Sequence, residues 1–462
     1  MYKTTPKGKI RSTTGVRVRD LRSIPQAPHA WPLAGHLVPL ARDPLAFLKS
    51  LPAHGALVRV RMGPVPLVVI CDPELTHQAL VDDRVFDKGG PVFERFRDVL
   101  GDGLSSCPHH AHRRLRRLAQ PAFHSDRLPG YARTMTACLE EVTGSWMPGR
   151  TLDVPTEMMS VTSQVTAATL FSESLPAAEL GRLIGDVKTI AGGVFRRMLL
   201  VPPLDRLPTP GNRAYLRART RLRHTCDLVI AERRADGTDH GDLLSALVAA
   251  RDPEDGGRGM TDAEISDTML TVFLAGTETT AGTLAWALDL LARHPDVEQR
   301  LHTEVDTVLR GKPATHADLP RLELTERIIN ETLRLYPQGW FLTRTVTHDT
   351  RLGRHPLPAG TSLAYSPYLI HHRPDLYTDP ETFDPDRWDP RRPQPPRHAF
   401  IPFATGARKC IGDTFAMAEA TLALATITAR WRLRHLPGHH RTRPVLGASI
   451  GPGELRMQPT PR

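Results

Sequence analysis

The sequence predicts a mainly α protein with small β-sheets, and three features of the chain support this fold class. Residues 73 to 310 follow a dominantly helical pattern, which is interrupted by loops at 84 to 110, 202 to 212 and 251 to 259. The last third alternates short strand candidates with proline-dense connections, such as DPETFDPDRWDPRRPQPP at 379 to 396. Neither an internal repeat nor a low-complexity linker divides the chain, so we expect one helical body.

The N-terminal part contains a tail and then two strands. Residues 1 to 23 are basic and polar, and we expect a disordered tail ahead of a single domain at 24 to 462. The prolines of SIPQAPHAWPLAGH (23 to 36) favour an extended path. The stretch ALVRVRMGPVPLVVICD (56 to 72) predicts two strands around the turn GPVP.

The composition is that of a soluble globular protein, with 40% hydrophobic and 24% charged residues. The chain has no run of eighteen apolar residues and no signal peptide, so we expect no membrane span. The 5 cysteines are scattered without CxxC pairs, which is typical of a reducing compartment and argues against a disulfide framework. We therefore expect a cytoplasmic protein.

The net charge of +10 raises the question of a nucleic-acid partner. Basic residues are spread along the chain rather than grouped with aromatic residues, so we expect no nucleic acid to bind. A local basic face for an acidic electron-transfer protein remains open.

The segment TDAEISDTMLTVFLAGTETTAGTLAWALDLLARHP (261 to 295) predicts one long buried helix. Thr261 and Glu264 form a capping box at its start, and Pro295 marks its end. About 34 residues at 1.5 Å each give roughly 50 Å, which is enough to cross the body. The midpoint carries Glu278 among threonines, and such groups are costly in a dry core unless they are paired or face a polar cavity.

Gly276 lies in the same helix, where glycine costs about 1 kcal/mol relative to alanine. One explanation is close packing of a neighbouring helix. The other is that Ala275 and Gly276 leave a hollow, while the Thr279 hydroxyl bonds to the helix backbone and opens it to a small ligand. The helix alone leaves both explanations open.

Three patterns occur in order along the chain: AGTET at 275 to 279, ETLR at 331 to 334, and FATGARKCIG at 403 to 412. Together they resemble the cytochrome P450 family of haem-thiolate monooxygenases, over almost the whole chain. ETLR alone is a weak signal, but the spacing of Phe, Gly, Arg, Cys and Gly in the last pattern is specific. The resemblance implies the cytochrome P450 fold, a helical body around a buried haem b, and insertion of one oxygen atom from O2 into an unactivated C–H bond.

The resemblance also assigns roles in the cysteine loop. Cys410 is expected to be the axial thiolate of the haem iron, because a thiolate donates electron density that favours O–O cleavage. Gly406 is expected to permit a left-handed turn, and Gly412 a close approach of the next helix to the porphyrin. The other expected haem contacts of this loop are Phe403, which shields the sulfur, Arg408, which reaches a propionate, and Ile411, which starts the helix whose N–H groups tune the thiolate.

Outside the loop, the resemblance implies that His112 and Arg116, four residues apart on one helix face, bind the propionates together with Arg344. A zinc site at His109, His110 and His112 is the rival interpretation, but these histidines lack cysteine or carboxylate company at ligand spacing. Three neighbouring arginines are then expected to face outward near Lys409 and to form a docking surface: Arg113, Arg114 and Arg117. The alternative is that they are solvent-exposed charges with no partner protein.

Glu331 and Arg334 match the buried ion pair of the family, and Arg387 matches the residue that ties the proline-rich segment to them. Their implied role is structural, because a buried charge without its partner is strongly destabilising. Glu278 and Thr279 match an acid and alcohol pair that would deliver protons during oxygen activation.

The expected substrate pocket is apolar and lies above the haem. Its predicted lining, from the 84 to 100 loop and from the segment after Pro337, is Val92, Phe93, Phe96, Trp340, Phe341 and Leu342. Several stretches look like those of bacterial enzymes that oxidise sesquiterpene hydrocarbons, which implies a terpenoid substrate in antibiotic biosynthesis. A macrolide, fatty acid or steroid is the alternative.

The chain ends about fifty residues after Cys410, so we expect no fused reductase. The resemblance implies electrons from a separate ferredoxin and its NAD(P)H-dependent reductase, and a monomer. A non-catalytic haem-binding protein and a haem-thiolate isomerase or peroxygenase are the rival functions. The intact Glu278 and Thr279 pair argues against both.

Overall fold

The computed structural model describes residues 21–63, 65–172, 177–199, 207–438 and 442–462. Helices dominate these ranges, and the strands are short, so the predicted fold class is confirmed. The α-helices are α1 (Leu37–Arg42), α2 (Pro44–Ser50), α3 (Pro73–Val81), α4 (Gly90–Leu100), α5 (His109–Ala119), α6 (Leu128–Gly144), α7 (Val154–Phe171), α8 (Ala177–Leu199), α9 (Pro210–Asp236), α10 (Leu243–Ala249), α11 (Asp262–Arg293), α12 (Pro295–Leu309), α13 (Glu323–Leu335), α14 (Pro367–His371) and α15 (Asp413–Arg430).

The strands form one five-stranded sheet and three smaller sheets. They are β1 (Leu57–Met62), β2 (Val65–Ile70), β3 (Phe86–Asp87), β4 (Leu152–Asp153), β5 (Leu342–Val346), β6 (Thr350–Leu352), β7 (His355–Leu357), β8 (Ser362–Tyr365), β9 (Trp431–His435), β10 (Pro444–Leu446), β11 (Ile450–Pro452) and β12 (Arg456–Pro461). The large sheet has the order β1-β2-β8-β5-β3, and the others are β4-β12-β9, β6-β7 and β10-β11. Strands β1 and β2 are antiparallel, so the strand pair expected around the GPVP turn is present.

Helix α11 crosses the hydrophobic core. Thr261 and Glu264 form the capping box at its start, with the Glu264 N–H donating to the Thr261 hydroxyl at 3.2 Å. The 32 residues of the helix then span about 48 Å. One buried cluster packs α11 against α6, α7, α12, α13 and α15, and a second packs it against α4, α5, α8, α9 and α10. The prediction of a long buried helix is therefore confirmed.

The segment 84 to 110 is not only loop, and this prediction was wrong. It contains α4, which begins at Gly90 with Pro91 in its first turn, a position where proline needs no N–H partner. Phe93 and Phe96 are spaced as one helix face, and their rings contact edge to face with centroids 6.1 Å apart. The helix follows Gly89, where an added Cβ would clash with Thr345 Oγ1, and it begins at Gly90, whose φ is +79°.

Residues 1–20 of the predicted tail lie outside the described residues. Leu21, at the end of that tail, is only 1% exposed and belongs to the same apolar cluster as Ile24 and Leu57. The packed body therefore extends at least to Leu21. None of the helices in the described ranges combines the length and apolar character that a membrane span requires.

Glu331 and Arg334 form a fully buried pair on α13, at 2.8 and 2.9 Å. The Glu331 carboxylate also accepts from the indole N–H of Trp388 at 2.9 Å and from the backbone N–H of Asp384 at 3.2 Å. Arg387 Nε lies 3.5 Å from the same carboxylate. One carboxylate thus holds the proline-rich segment against α13, and its removal would leave a buried guanidinium uncompensated.

We predict that Glu331→Ala lowers the free energy of unfolding by about 3 to 5 kcal/mol. The matched control is Arg300→Ala, which removes a bidentate pair to Asp386 of the same segment; because the Arg300 side chain is 47% exposed, this change costs at most about 1 kcal/mol. Chemical denaturation followed by circular dichroism measures both. Equal losses in the two variants would contradict the structural role of Glu331.

Candidate active site

A cavity of about 410 Å³ lies between the middle of α11 and the cysteine loop. Helix α11 contributes Ala275, Gly276 and Thr279 to its wall, and the loop contributes Phe403 and Cys410. Two segments more than 100 residues apart in sequence therefore face one space, as their unusual composition indicated. The wall is mainly apolar, so the few polar groups that reach it define the chemistry of the site.

The threonines of α11 bond to their own helix. The Thr279 hydroxyl donates to the Ala275 carbonyl at 2.6 Å, and the Thr277 hydroxyl donates to the Phe273 carbonyl at 2.6 Å. Such bonds compete with the helix ladder and favour local bending. The arrangement matches the predicted bond of Thr279 to the backbone, and it places a hydroxyl on the wall of the cavity.

Gly276 is not explained by close helix packing. A Cβ at this position would meet the nearest neighbour, Thr166 Oγ1 on α7, at 3.4 Å, which is an ordinary contact distance. Because Ala275 and Gly276 both line the cavity, the absence of larger side chains enlarges that space. The structure therefore favours the hollow over the packing explanation.

Glu278 lies one position before Thr279 and also lines the cavity. Its Oε1 accepts a hydrogen bond of 2.6 Å from the hydroxyl of Ser449, in the hairpin between β10 and β11. Burial raises the pKa of Glu278, and the Ser449 hydrogen bond partly opposes this shift. A buried carboxyl group whose pKa is raised is a candidate for general acid catalysis.

The cysteine loop turns sharply at Gly406. Its φ is +73°, and an added Cβ would lie 2.5 Å from the Leu80 carbonyl oxygen, so only glycine fits this position. The Cys410 N–H donates to the Phe403 carbonyl at 3.0 Å, which closes the loop. Helix α15 begins just after Gly412.

The Cys410 thiol faces the cavity from the loop. Burial within the protein raises its pKa, and the charge of Asp413 adds to this rise, whereas the backbone N–H of Gly412 and the charges of Arg116 and Lys88 oppose it only in part. A bound metal ion would deprotonate the thiol, because a coordinating thiol is held as the thiolate. A Cβ on Gly412 would meet only Phe123, at 3.7 Å, so protein packing does not require glycine there and its smallness leaves room on the cavity side.

One end of the cavity carries cations. Lys88, Arg344 and Arg408 all line it. Arg344 is 2% exposed, yet its Nε has no hydrogen-bond partner among the described residues. Burial, together with the charges of the two arginines, lowers the pKa of Lys88 to about 7. Buried cations of this kind fit an anionic ligand, so the site can hold a group that carries carboxylates, as haem does.

Arg408 has partners that the sequence did not indicate. Its guanidinium donates to Asp83 Oδ2 and Asp87 Oδ1, both at 2.8 Å, and to the Cys107 carbonyl at 2.9 Å. All three of its nitrogens are thus bonded to the protein. Arg344 Nε, which has no partner among the described residues, is therefore better placed than Arg408 to donate to a ligand.

His112 and Arg116 are not part of the cavity lining in the described residues. His112 is buried, and this burial with the nearby charges of Arg408 and Lys88 lowers its pKa to about 3. Arg116 Nη1 donates to the Lys409 carbonyl at 2.6 Å, so it clamps the residue before Cys410.

The predicted substrate-pocket residues divide into two groups. Phe93, Phe96 and Leu342 line the cavity. Trp340 and Phe341 do not, and the prediction was wrong for them: both pack in the apolar cluster around β1 and β2, and the Trp340 indole donates to the Gly447 carbonyl at 3.2 Å. The side chain of Val92 lies outside the described residues.

The expected basic docking surface on α5 is largely neutralised. Arg117 pairs with Asp252 at 2.9 Å, and Arg114 pairs with Glu264 at 2.6 Å. Arg113 lies 3.4 Å from Glu254. Acidic residues from the 252 to 264 segment thus offset the positive charge of the face that the sequence suggested for docking.

Sequence reasoning missed several polar residues of the cavity, among them Lys88, Glu419 and Ser449. Glu419 on α15 is 1% exposed, and neither carboxylate oxygen has a hydrogen bond of ordinary length. Burial raises its pKa to about 8, and the nearby Thr280 hydroxyl opposes this shift. A charged residue inside the apolar run of α15, at FAMAEATLALA, was the available signal.

Comparisons with known proteins all point to the same family. The family model described as Cytochrome P450 matches residues 25–453. Cyclooctat-9-en-7-ol 5-monooxygenase of Streptomyces melanosporofaciens is 46% identical over 414 residues, covering 89% of this chain and 90% of that protein. Cyclooctatin synthase of the same organism is 46% identical, covering 94% and 95%. Pentalenene oxygenase of Streptomyces avermitilis is also 46% identical, covering 94% of this chain and 97% of that protein.

We predict that Glu419 makes the folded state less stable as the pH rises. Its pKa is about 8 when folded and near 4.5 when unfolded, so the folded state binds the extra proton between these values. The unfolding free energy should then fall across this window by up to about 1.4 kcal/mol per pH unit. Glu419→Gln removes this slope. Denaturation at a series of pH values measures it, and parallel curves for the two proteins would contradict the assignment.

Proposed function

The chain belongs to the cytochrome P450 family of haem-thiolate monooxygenases, and on this premise we propose that it oxidises a terpenoid hydrocarbon or terpenoid alcohol at an unactivated C–H bond. The observation that carries the proposal is one apolar cavity on which Cys410 and the Glu278 and Thr279 pair converge. A terpenoid is apolar, and three relatives of similar length bear the names of terpenoid-oxidising enzymes.

Cys410 is the proposed ligand of the haem iron. When bound, haem supplies the iron at which O2 is activated, and the thiolate donates electron density that favours O–O cleavage. The protein holds the sulfur in a loop closed by the Cys410 N–H bond to Phe403 and turned at Gly406. Gly412 leaves space beside the sulfur, and Phe403 and Ile411 line the same wall.

The haem propionates are proposed to bind at the cationic end of the cavity. Arg344 offers a buried donor without a partner among the described residues, and Lys88 lies near it. Arg408, held by Asp83 and Asp87, adds positive charge rather than a free donor. His112 and Arg116 support this end from α5, with Arg116 bonded to the cysteine loop.

Glu278 and Thr279 are proposed to supply protons during oxygen activation. Glu278 is the proposed acid, because it lines the cavity beside Thr279 and burial raises its pKa. Thr279 presents its hydroxyl on the cavity wall, next to the hollow at Ala275 and Gly276. A binding protein, an isomerase or a peroxygenase would not need this pair.

The substrate is proposed to lie against α4 and the start of β5. Phe93 and Phe96 of α4 and Leu342 of β5 provide apolar contacts. Apolar walls with few polar anchors match a hydrocarbon skeleton.

The electron supply and cellular setting complete the proposal. Electrons would come from a separate ferredoxin and an NAD(P)H-dependent reductase, and the protein would act as a cytoplasmic monomer whose haem domain includes Leu21 and the residues that follow it. All 5 cysteines are free, which fits a reducing compartment.

We predict that Cys410→Ala abolishes the red-shifted carbonyl band of the reduced, CO-treated protein, because that band requires a thiolate ligand. The control is Cys138→Ala on α6, a partly buried cysteine away from the cavity, which should keep the band. Absorption difference spectra measure both. A retained band in Cys410→Ala would contradict the ligand assignment.

We predict that terpenoids shift the absorption spectrum of the ferric haem on binding, since an apolar ligand expels water from the site. We also expect the protein to oxidise them when ferredoxin, reductase and NADPH are supplied. The measurement is a titration with sesquiterpenes, diterpenes, fatty acids and steroids, followed by product analysis. Thr279→Ala should bind the same ligands but form at least about tenfold less product per NADPH. Response to fatty acids or steroids alone would overturn the substrate class.

A further inference from the structure

Glu278 lies between two cavities. Besides the cavity of about 410 Å³, a second one of about 210 Å³ is bounded by α7, α11 and the hairpin of β10 and β11. Among the residues described, Glu278 and Ser449 are the two that line both cavities. The hydrogen bond between them therefore stands at the boundary between these spaces.

The second cavity is built from small side chains. Ala281, Gly282 and Ala285 continue the face of α11 that starts at Glu278, and they meet Gly447 and Gly451 of the hairpin. Its volume is several times the roughly 30 Å³ that one water occupies in the liquid. Glu278 and Ser449 provide polar contacts at its inner end.

The outer end of the second cavity lies at the protein surface. Val445, which lines it, is 58% exposed. Solvent therefore has a short way to Glu278 from the side of the hairpin, without passing the apolar walls at Phe93, Phe96 and Leu342 where the substrate is proposed to lie.

The hairpin is held firmly against α11. The Trp286 indole donates to the Ile450 carbonyl at 3.0 Å, and the Trp340 indole donates to the Gly447 carbonyl at 3.2 Å. The Gly447 N–H donates to the Ser449 carbonyl at 2.9 Å across the turn. These bonds fix the backbone on both sides of Ser449, so its hydroxyl is positioned on the carboxylate.

We propose that the second cavity is the proton entry of this enzyme, and that Ser449 passes protons from its water to Glu278. The inference rests on the proposed role of Glu278 as the proton donor. A hydronium ion in the second cavity gives a proton to Ser449 Oγ while the Ser449 hydroxyl proton passes to the Glu278 carboxylate. The products are a neutral water, an unchanged serine and a carboxylic acid, so one proton moves and no electron is required.

Ser449 is a positioning and relay residue in this scheme, since a hydroxyl both donates and accepts. The raised pKa of Glu278 supports the scheme, because burial favours the protonated carboxyl group that the relay produces. Monooxygenation consumes two protons for each O2, so the acid must be recharged within every turnover.

The test measures proton access to Glu278 in the resting haem protein. Infrared difference spectroscopy follows hydrogen-deuterium exchange of the Glu278 carboxyl band after mixing with D2O, and Glu278→Gln assigns the band. Ser449→Ala should slow this exchange by about tenfold or more, and Ser449→Thr, which keeps a hydroxyl, should restore it.

Two further variants obstruct the cavity without changing the relay groups. Gly451→Leu acts from the hairpin, where an added Cβ meets no atom within 4 Å, and Ala285→Leu acts from α11. Each should slow the exchange like Ser449→Ala. The matched control is Gly185→Leu on α8, whose Cβ also meets no atom within 4 Å and which lines neither cavity.

Turnover separates this inference from the proposed function. With substrate, ferredoxin, reductase and NADPH, the slowed variants should divert electrons from product to hydrogen peroxide. Unchanged exchange in both obstructed variants, or in Ser449→Ala, overturns the proton entry even if the wild-type enzyme oxidises terpenoids. Slowed exchange in a protein that oxidises no substrate would instead remove the monooxygenase proposal and leave the proton path standing.

Discussion

The structure depends on a constraint at the middle of α11, where polar groups must be accommodated inside an apolar core. A carboxylate and hydroxyls buried there are costly unless each has a partner. Thr277 and Thr279 bond to their own helix, and Glu278 accepts from Ser449. The remaining space forms the cavity, which Cys410 faces from the other segment. The same polar groups that are hydrogen-bonded in the middle of α11 therefore also form the wall of the site.

The elements that hold this arrangement lie away from the cavity or at its edge. The Glu331 carboxylate fixes the proline-rich segment to α13, ahead of the cysteine loop. Trp286 and Trp340 fix the hairpin that presents Ser449 to α11. Functional side chains are held within narrow limits when their supports are packed and bonded on several sides. The hydrogen bonds of Glu331, Trp286 and Trp340 outside the site are consistent with this need to hold the functional side chains in place.

Local signals made much of the site predictable from the sequence. The capping box at Thr261 and the turn at Gly406 depend on residues close together in the chain, and both were found in the structure. What the sequence could not reveal depends on distant contacts. Ser449 lies 171 positions from Glu278 in the sequence, and Glu264, an acidic partner of Arg114, lies in the first turn of α11. Helix α4, which begins at Gly90, lies inside the segment that was predicted as a loop.

The central claim is that the Cys410 sulfur, facing the middle of α11, is bound to the iron of a haem in this cavity. X-ray absorption at the iron edge tests it most directly, because the scattering pattern distinguishes a sulfur neighbour from nitrogen or oxygen. The account predicts one sulfur in the first coordination shell of the purified, haem-loaded protein, and its loss when Cys410 is replaced by alanine. A shell of nitrogen and oxygen alone in the unmodified protein would contradict it.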